Sequence, residues 1–189
     1  MEKAAGSYFE LKIAGRGGQG ALIIGRLLAE AGMSKYEHVS YFPNYGATMR
    51  GGDSECTVIL SNSEISAPAM LEPSSLVLMG SAALGEFERK VKPSGLIILD
   101  SSLVAQKVTR EDLRVVYLPA VKVASELGNS QIANFIFLGA YLKMTGAVPF
   151  DTINQALETK MAGGNKEELL ALDKQALREG ARIAAEQKG

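Results

Sequence analysis

The sequence predicts a three-layer α/β/α fold with a mostly parallel central sheet and a helical C-terminal part. Three observations carry this. Strand-like runs alternate with helical stretches over the first two-thirds of the chain. Two of those runs, 75–79 (SLVLM) and 95–100 (GLIILD), are almost continuously apolar between turn residues, as expected of strands buried on both faces. The last third carries its apolar residues at helical spacing.

The elements follow in order. Residues 8–14 (YFELKIA) read as a strand that runs directly into Gly15-Arg16-Gly17-Gly18-Gln19-Gly20. A helix over 21–31 follows, with Leu22, Ile23, Leu27 and Leu28 apolar, and Gly32 is expected to cap it in the left-handed conformation. A short strand over 39–42 leads into 43–53 (PNYGATMRGGD), which is rich in turn formers and reads as a loop. Residues 54–61 include Cys56, Thr57, Val58 and Ile59, a composition suited to a strand. A crossover helix over 82–91 is expected between the apolar strands 75–79 and 95–100. Residues 114–118 (RVVYL) make a further strand, stopped by Pro119. The helical part comprises 131–145, a helix from Asp151 to about 161, and a last helix opened by an Asn165/Glu168 capping box. That last helix aligns Leu169, Leu172, Ala176 and Ala184.

Composition narrows the function. The chain has 189 residues, 47% hydrophobic and 22% charged, which excludes disorder and predicts one domain over 1–189. A net charge of −1 gives no broad basic footprint for nucleic acid. Apolar runs too short for a bilayer, and an N-terminus without a signal peptide's apolar stretch, lead us to expect a soluble cytoplasmic protein away from membranes. The one cysteine, Cys56, cannot form an internal disulfide or hold an iron–sulfur cluster, and inside a strand it reads as buried and inert. His38 stands alone at the expected end of a helix and reads as a surface or capping residue. No Cys/His cluster suits a metal, and no Gly-x-Ser-x-Gly elbow is present. No catalytic residue is assigned.

Two glycine-rich segments are the candidate binding residues. Gly15, Gly17 and Gly20 satisfy G-x-G-x-x-G between a strand and a helix, the context of a Rossmann-like phosphate loop. Such glycines let backbone amides at a helix N-terminus approach a phosphate closely. The ribose-binding carboxylate that should end the second strand is missing, since that strand reads Val39-Ser40-Tyr41-Phe42-Pro43. A tight turn without ligand is the competing reading. In the second segment Arg50 offers a planar fork of donors beside Gly51 and Gly52, suited to phosphate or carboxylate. The competing reading there is a surface loop whose arginine pairs with an acid such as Asp53. In a parallel sheet both segments converge at the carboxyl edge.

Taken together, the motifs resemble the gamma subunit of 2-oxoacid:ferredoxin oxidoreductases. The resemblance rests on Gly15-Arg16-Gly17-Gly18-Gln19-Gly20, Tyr45-Gly46-Ala47-Thr48-Met49-Arg50-Gly51-Gly52, Ile65-Ser66-Ala67-Pro68 and Asn134-Phe135-Ile136-Phe137-Leu138-Gly139-Ala140. It departs at Ala47-Thr48, where relatives often carry a glutamate. The resemblance implies a multi-subunit enzyme that oxidatively decarboxylates a 2-oxoacid to an acyl-CoA, with 2-oxoglutarate favoured over branched-chain 2-oxoacids and pyruvate. It further implies thiamine diphosphate, Mg2+ and iron–sulfur clusters on partner alpha and beta subunits, with a delta ferredoxin-like subunit in some assemblies, and ferredoxin or a similar acceptor for the electrons. This chain would hold none of these cofactors alone and would be inactive in isolation. In related fused enzymes the equivalent domain covers the active site and contributes to CoA binding, which carries over to Gly15, Gly17, Gly18, Gln19, Gly20, Arg50, Gly51 and Gly52. A stand-alone NAD- or FAD-binding module and a purely structural subunit remain the alternatives.

Overall fold

The computed structural model describes residues 8–45, 53–67, 70–80, 84–161 and 166–187. Six strands form one sheet: β1 (Tyr8–Arg16), β2 (His38–Tyr45), β3 (Asp53–Ser61), β4 (Ser75–Leu78), β5 (Leu96–Asp100) and β6 (Arg114–Leu118), in the spatial order β2-β3-β1-β4-β5-β6. The pairings β1/β4, β4/β5 and β5/β6 are parallel, whereas β3 runs antiparallel to both β1 and β2. Only β3 therefore opposes the common strand direction. The mostly parallel α/β sheet expected from the sequence is present, with β3 inserted between the first two strands.

The helices are α1 (Ala21–Gly32), α2 (Leu84–Lys90), α3 (Ala120–Glu126), α4 (Ala133–Thr145), α5 (Phe150–Met161) and α6 (Glu167–Glu186), with a short 3-10 turn over Ser130–Ile132 before α4. Strand alternation divides the core in two. Leu11, Ile13, Val77, Ile98 and Val116 face α1 and α3 to α6, whereas Leu76, Leu78, Ile97 and Leu99 face Leu84, Phe87 and Val91 of the α2 side. Every residue of α4 from Ala133 to Leu142 is buried, so this helix is apolar all round rather than amphipathic.

Several expectations need correction. Gly32 stays inside α1, with Met33 as a right-handed C-cap, because the missing side chain makes room for Leu60: a Cβ there would lie 2.5 Å from Leu60 Cδ2. His38 is exposed and opens β2 rather than ending a helix. Residues 43–45 extend β2 instead of beginning the loop, paired with 54–56 of β3. Helix α3 was not anticipated, since Pro119 stops β6 but then supplies the carbonyl that accepts from Val123 N. Asp151 lies in the first turn of α5, and Pro149 O takes the Thr152 and Ile153 amides. The position before α6 is Lys166, without a side-chain cap, and Asn165 lies outside the described residues. The buried stripe of α6 is Asp173, Ala176, Leu177, Gly180 and Ala184, with Leu169 exposed. No helix among the described residues is long and apolar enough to cross a membrane.

Candidate functional site

The topology brings the ends of both glycine segments to one sheet edge. Arg16 at the end of β1 pairs with Asp53, and Tyr45 at the end of β2 pairs with Ser54. The described ends of β2 and β3 that flank 46–52 thus lie at the same sheet edge as the end of β1. Arg50, Gly51 and Gly52 lie outside the described residues. The insertion of β3 also means that β2 is not the neighbour of β1, so the usual ribose-binding position at the second strand has no counterpart beside the loop.

Gly15 and Arg16 belong to β1, and the chain turns through Gly17 and Gly18 into α1. Gly18 (φ 99) and Gly20 (φ 82) both take the left-handed conformation that glycine alone adopts cheaply. A Cβ on Gly18 would meet nothing within 4 Å among the described residues, so they leave its surface open to an incoming group. A Cβ on Gly20 would lie 2.4 Å from Asn134 Nδ2, so that glycine makes room for a side chain of α4. Among the described residues the start of α1 has no side-chain cap and no acidic residue in its first turn, so no described side chain there offsets the positive dipole end.

Gln19 plays a different part from the one its neighbours suggest. Its Oε1 accepts from Arg16 N at 2.7 Å, and its Nε2 donates to Met79 O at 3.0 Å. The carboxamide therefore ties the loop to the chain just after β4, with a second Nε2 hydrogen beyond these two bonds. Gly15 leaves space for it, since a Cβ there would lie 2.8 Å from Gln19 Oε1.

Between the ends of β1 and β4 and the start of α4 lies a cavity of about 210 Å³ lined by Gly18, Gln19, Met79, Val121, Ser130, Gln131, Ala133, Asn134 and Phe137. The chain passes from one side of β1 to the other at this point, the usual place for a ligand in an open α/β sheet. Among the described residues no carboxylate, cation, cysteine or histidine lines it. Its polar groups are amides and a hydroxyl, and its walls are otherwise apolar.

Neighbouring polar groups are structural. Asp100, fully buried at the end of β5, accepts from Ser102 N at 2.7 Å, from the Ser102 hydroxyl, and from Val121 N at 3.0 Å. It thereby caps α3, whereas α1 is left open. A larger cavity of about 520 Å³ beside α2 is lined by Glu88, Arg89, Lys107 and Arg110 among others, but its charges are largely spent within the protein. Glu88 Oε1 accepts from Thr109 N, Thr109 Oγ1 and Arg110 N at 2.6–2.8 Å. Burial alone would push this carboxyl up, yet those bonds hold it below its usual value. Arg110 in turn binds the Glu88 and Val91 carbonyls and Asp112. Cys56 is buried, and burial followed by the nearby Glu55 pushes its thiol up to about 12, so it carries no thiolate near neutral pH. Among the described residues no three His, Cys, Asp or Glu side chains gather as a metal site.

Asn134 is the site residue that pattern reading missed as a participant. It stood in the fourth motif, but nothing in its spacing tied it to the glycine loop. The signal was a lone polar residue opening an otherwise apolar helix.

Residues 10–183 match the family model described as pyruvate ferredoxin/flavodoxin oxidoreductase. The chain is 34% identical over 178 residues to ketoisovalerate oxidoreductase subunit VorA of Methanothermobacter thermautotrophicus, covering 93% of this chain and 36% of that one. It therefore spans about a third of the length of that relative. It is 32% identical over 169 residues to 2-oxoglutarate synthase subunit KorC of the same organism, covering 85% of this chain and 89% of that one. Its fold is similar to that of a keto/oxoacid ferredoxin oxidoreductase gamma subunit from Geobacter sulfurreducens, with a TM-score of 0.82 at 24% identity over 97% of this chain and 99% of that one.

Proposed function

The chain belongs to the pyruvate ferredoxin/flavodoxin oxidoreductase family, and we propose that it is the gamma subunit of a cytoplasmic 2-oxoacid:ferredoxin oxidoreductase that helps bind CoA and close the active site. The observation that carries the CoA reading is the start of α1, uncapped by any described side chain and opening through Gly18 beside a cavity with no carboxylate among its described lining residues. CoA carries a diphosphate and a 3′-phosphate, and backbone amides at such a helix start suit phosphoryl oxygens. On this reading, thiamine diphosphate, Mg2+ and the iron–sulfur clusters sit on alpha and beta partners, and ferredoxin or a similar acceptor takes the electrons. This chain's own work is to bind and orient. The glycine loop approaches the CoA backbone, Gln19 fixes the loop, and Arg50 supplies a cation from the neighbouring segment.

For the substrate we keep 2-oxoglutarate, supported by the match to the 2-oxoglutarate synthase subunit over nearly its whole length. A branched-chain 2-oxoacid is the second reading, favoured by the slightly higher identity to the ketoisovalerate relative. Comparing turnover of 2-oxoglutarate, 3-methyl-2-oxobutanoate and pyruvate by the assembled enzyme decides between them.

Two results are expected. The purified chain alone is colourless and turns over no 2-oxoacid; an iron–sulfur absorption band in the isolated protein, or turnover without partner subunits, would sink the assignment. In the assembled enzyme, Gly18→Val and Arg50→Ala each raise the KM for CoA about ten- to a hundredfold, from about 1.5–3 kcal/mol of lost bonding to a charged group. The KM for the 2-oxoacid stays near its original value. If both variants assemble and keep their dependence on CoA, the glycine segments serve packing and the binding role falls.

A further inference from the structure

We infer that Gln187 seals the β6 edge of the sheet: its carboxamide stands in for a neighbouring strand at Tyr117 and keeps β6 from pairing with a second copy of this chain. Two strands, β4 and β5, separate this edge from β1 and its glycine loop, so the seal is independent of the CoA reading.

Among the described residues β6 is the last strand of the sheet, with only β5 beside it. Arg114 N donates to Gly95 O, and Leu118 O accepts from Ser101 N, so these two residues turn their backbone groups toward the β5 side. Backbone direction alternates along a strand, which turns the N–H and C=O of Tyr117 outward to the edge. Those are the two groups that a further strand would take. A side chain takes both instead. Gln187 Oε1 accepts from Tyr117 N at 2.9 Å, and Gln187 Nε2 donates to Tyr117 O at 2.6 Å. A carboxamide carries the same donor and acceptor as a peptide group, so it reproduces one rung of a ladder. Gln187 is half-buried and follows directly on α6, which is anchored through Ala176, Leu177, Gly180 and Ala184. The packed helix therefore delivers the carboxamide to the edge and holds it there.

The composition of β6 says what the seal excludes. The strand reads Arg114-Val115-Val116-Tyr117-Leu118, branched and aromatic, with one charge and no proline inside it. Such a segment pairs readily with an identical one. The opposite edge strand carries its own guard, since Pro43 in β2 brings no N–H to a ladder. β6 has no guard of its own, and the one it has comes from a residue 70 positions away. An incoming strand must displace both Gln187 bonds before it can use Tyr117.

The test is Gln187→Ala in the full chain, with Gln187→Glu beside it, since glutamate accepts from Tyr117 N but gives nothing to Tyr117 O. Amide hydrogen exchange and sedimentation are followed across a roughly hundredfold range of protein concentration. At the dilute end the Tyr117 amide of the alanine variant should exchange about tenfold or more faster than in the parent, with the glutamate variant between them. At the concentrated end the alanine variant should sediment as a larger species than the parent. Protection should then return at Tyr117, because a second copy has paired there. Exchange at Tyr117 that neither substitution changes would mean that the carboxamide does not hold the edge, and the inference fails. Faster exchange without concentration-dependent association reduces Gln187 to a tether for the end of α6 and overturns the seal. Association that leaves Tyr117 unprotected puts the contact on another surface and overturns it as well.

Discussion

Gly139→Ala or Gly180→Ala is expected to destabilise the protein by about 3 kcal/mol or more, the upper range for overpacking a core. The two glycines sit where α4 and α6 touch backbone to backbone. A Cβ on Gly139 would lie 2.0 Å from Leu177 O, and a Cβ on Gly180 would lie 1.9 Å from Ile136 O. Each contact is with a carbonyl held in its own helix, so no side-chain rotation relieves it and the helices must separate. Separation loosens Ile136, Phe137, Ala176 and Leu177, all buried in the main core. Alanine's better helix propensity returns only up to about 1 kcal/mol. Gly85→Ala in α2 is the control: a Cβ there meets nothing within 4 Å, so that variant should match or slightly exceed the parent. Urea unfolding midpoints of the three variants measure the contrast. A loss below about 1 kcal/mol at both Gly139 and Gly180 would mean that the helices do not pack this closely.

That helix contact also marks where the sequence stops being legible. Periodicity locates α6, but the buried face runs through Asp173, Leu177 and Gly180 and leaves Leu169 exposed, because glycine admits the other helix and hydrophobicity alone does not register that. The strands were readable because period-two and all-apolar runs are local. Their order was not: β3 enters the sheet antiparallel between β2 and β1, a choice made by long-range pairing. At the site, glycines between a strand and a helix announced an amide-lined turn from local spacing. The tether from Gln19 to Met79 O and the approach of Asn134 to Gly20 join residues 60 and more than a hundred positions apart, which no motif spacing encodes. Gly32 misled for a related reason, since a glycine at a helix end serves a cap or a close neighbour equally well, and Leu60 is that neighbour.

Asp173→Asn should raise stability at pH 7.5 by up to about 3 kcal/mol, with the gain vanishing below about pH 4. Asp173 is 2% exposed on the packed face of α6, and its Oδ1 has no hydrogen-bond partner among the described residues. Burial pushes its carboxyl up from 3.8 to about 6. The folded chain thus holds this proton over a range where the unfolded chain has released it. The penalty is absent below about 4, grows as pH rises toward about 6, and is constant above that, the reverse of a carboxylate stabilised by a salt bridge. About two pH units at 1.36 kcal/mol each give the stated gain, reduced by whatever the new amide's own N–H groups lack. Urea unfolding of parent and variant at pH 7.5, 5 and 4 traces the difference. A gain that is the same at all three values would locate the effect in packing rather than charge. No gain at pH 7.5 would mean that the carboxylate finds compensation in the folded protein, and the buried, unpartnered reading of Asp173 would then be wrong.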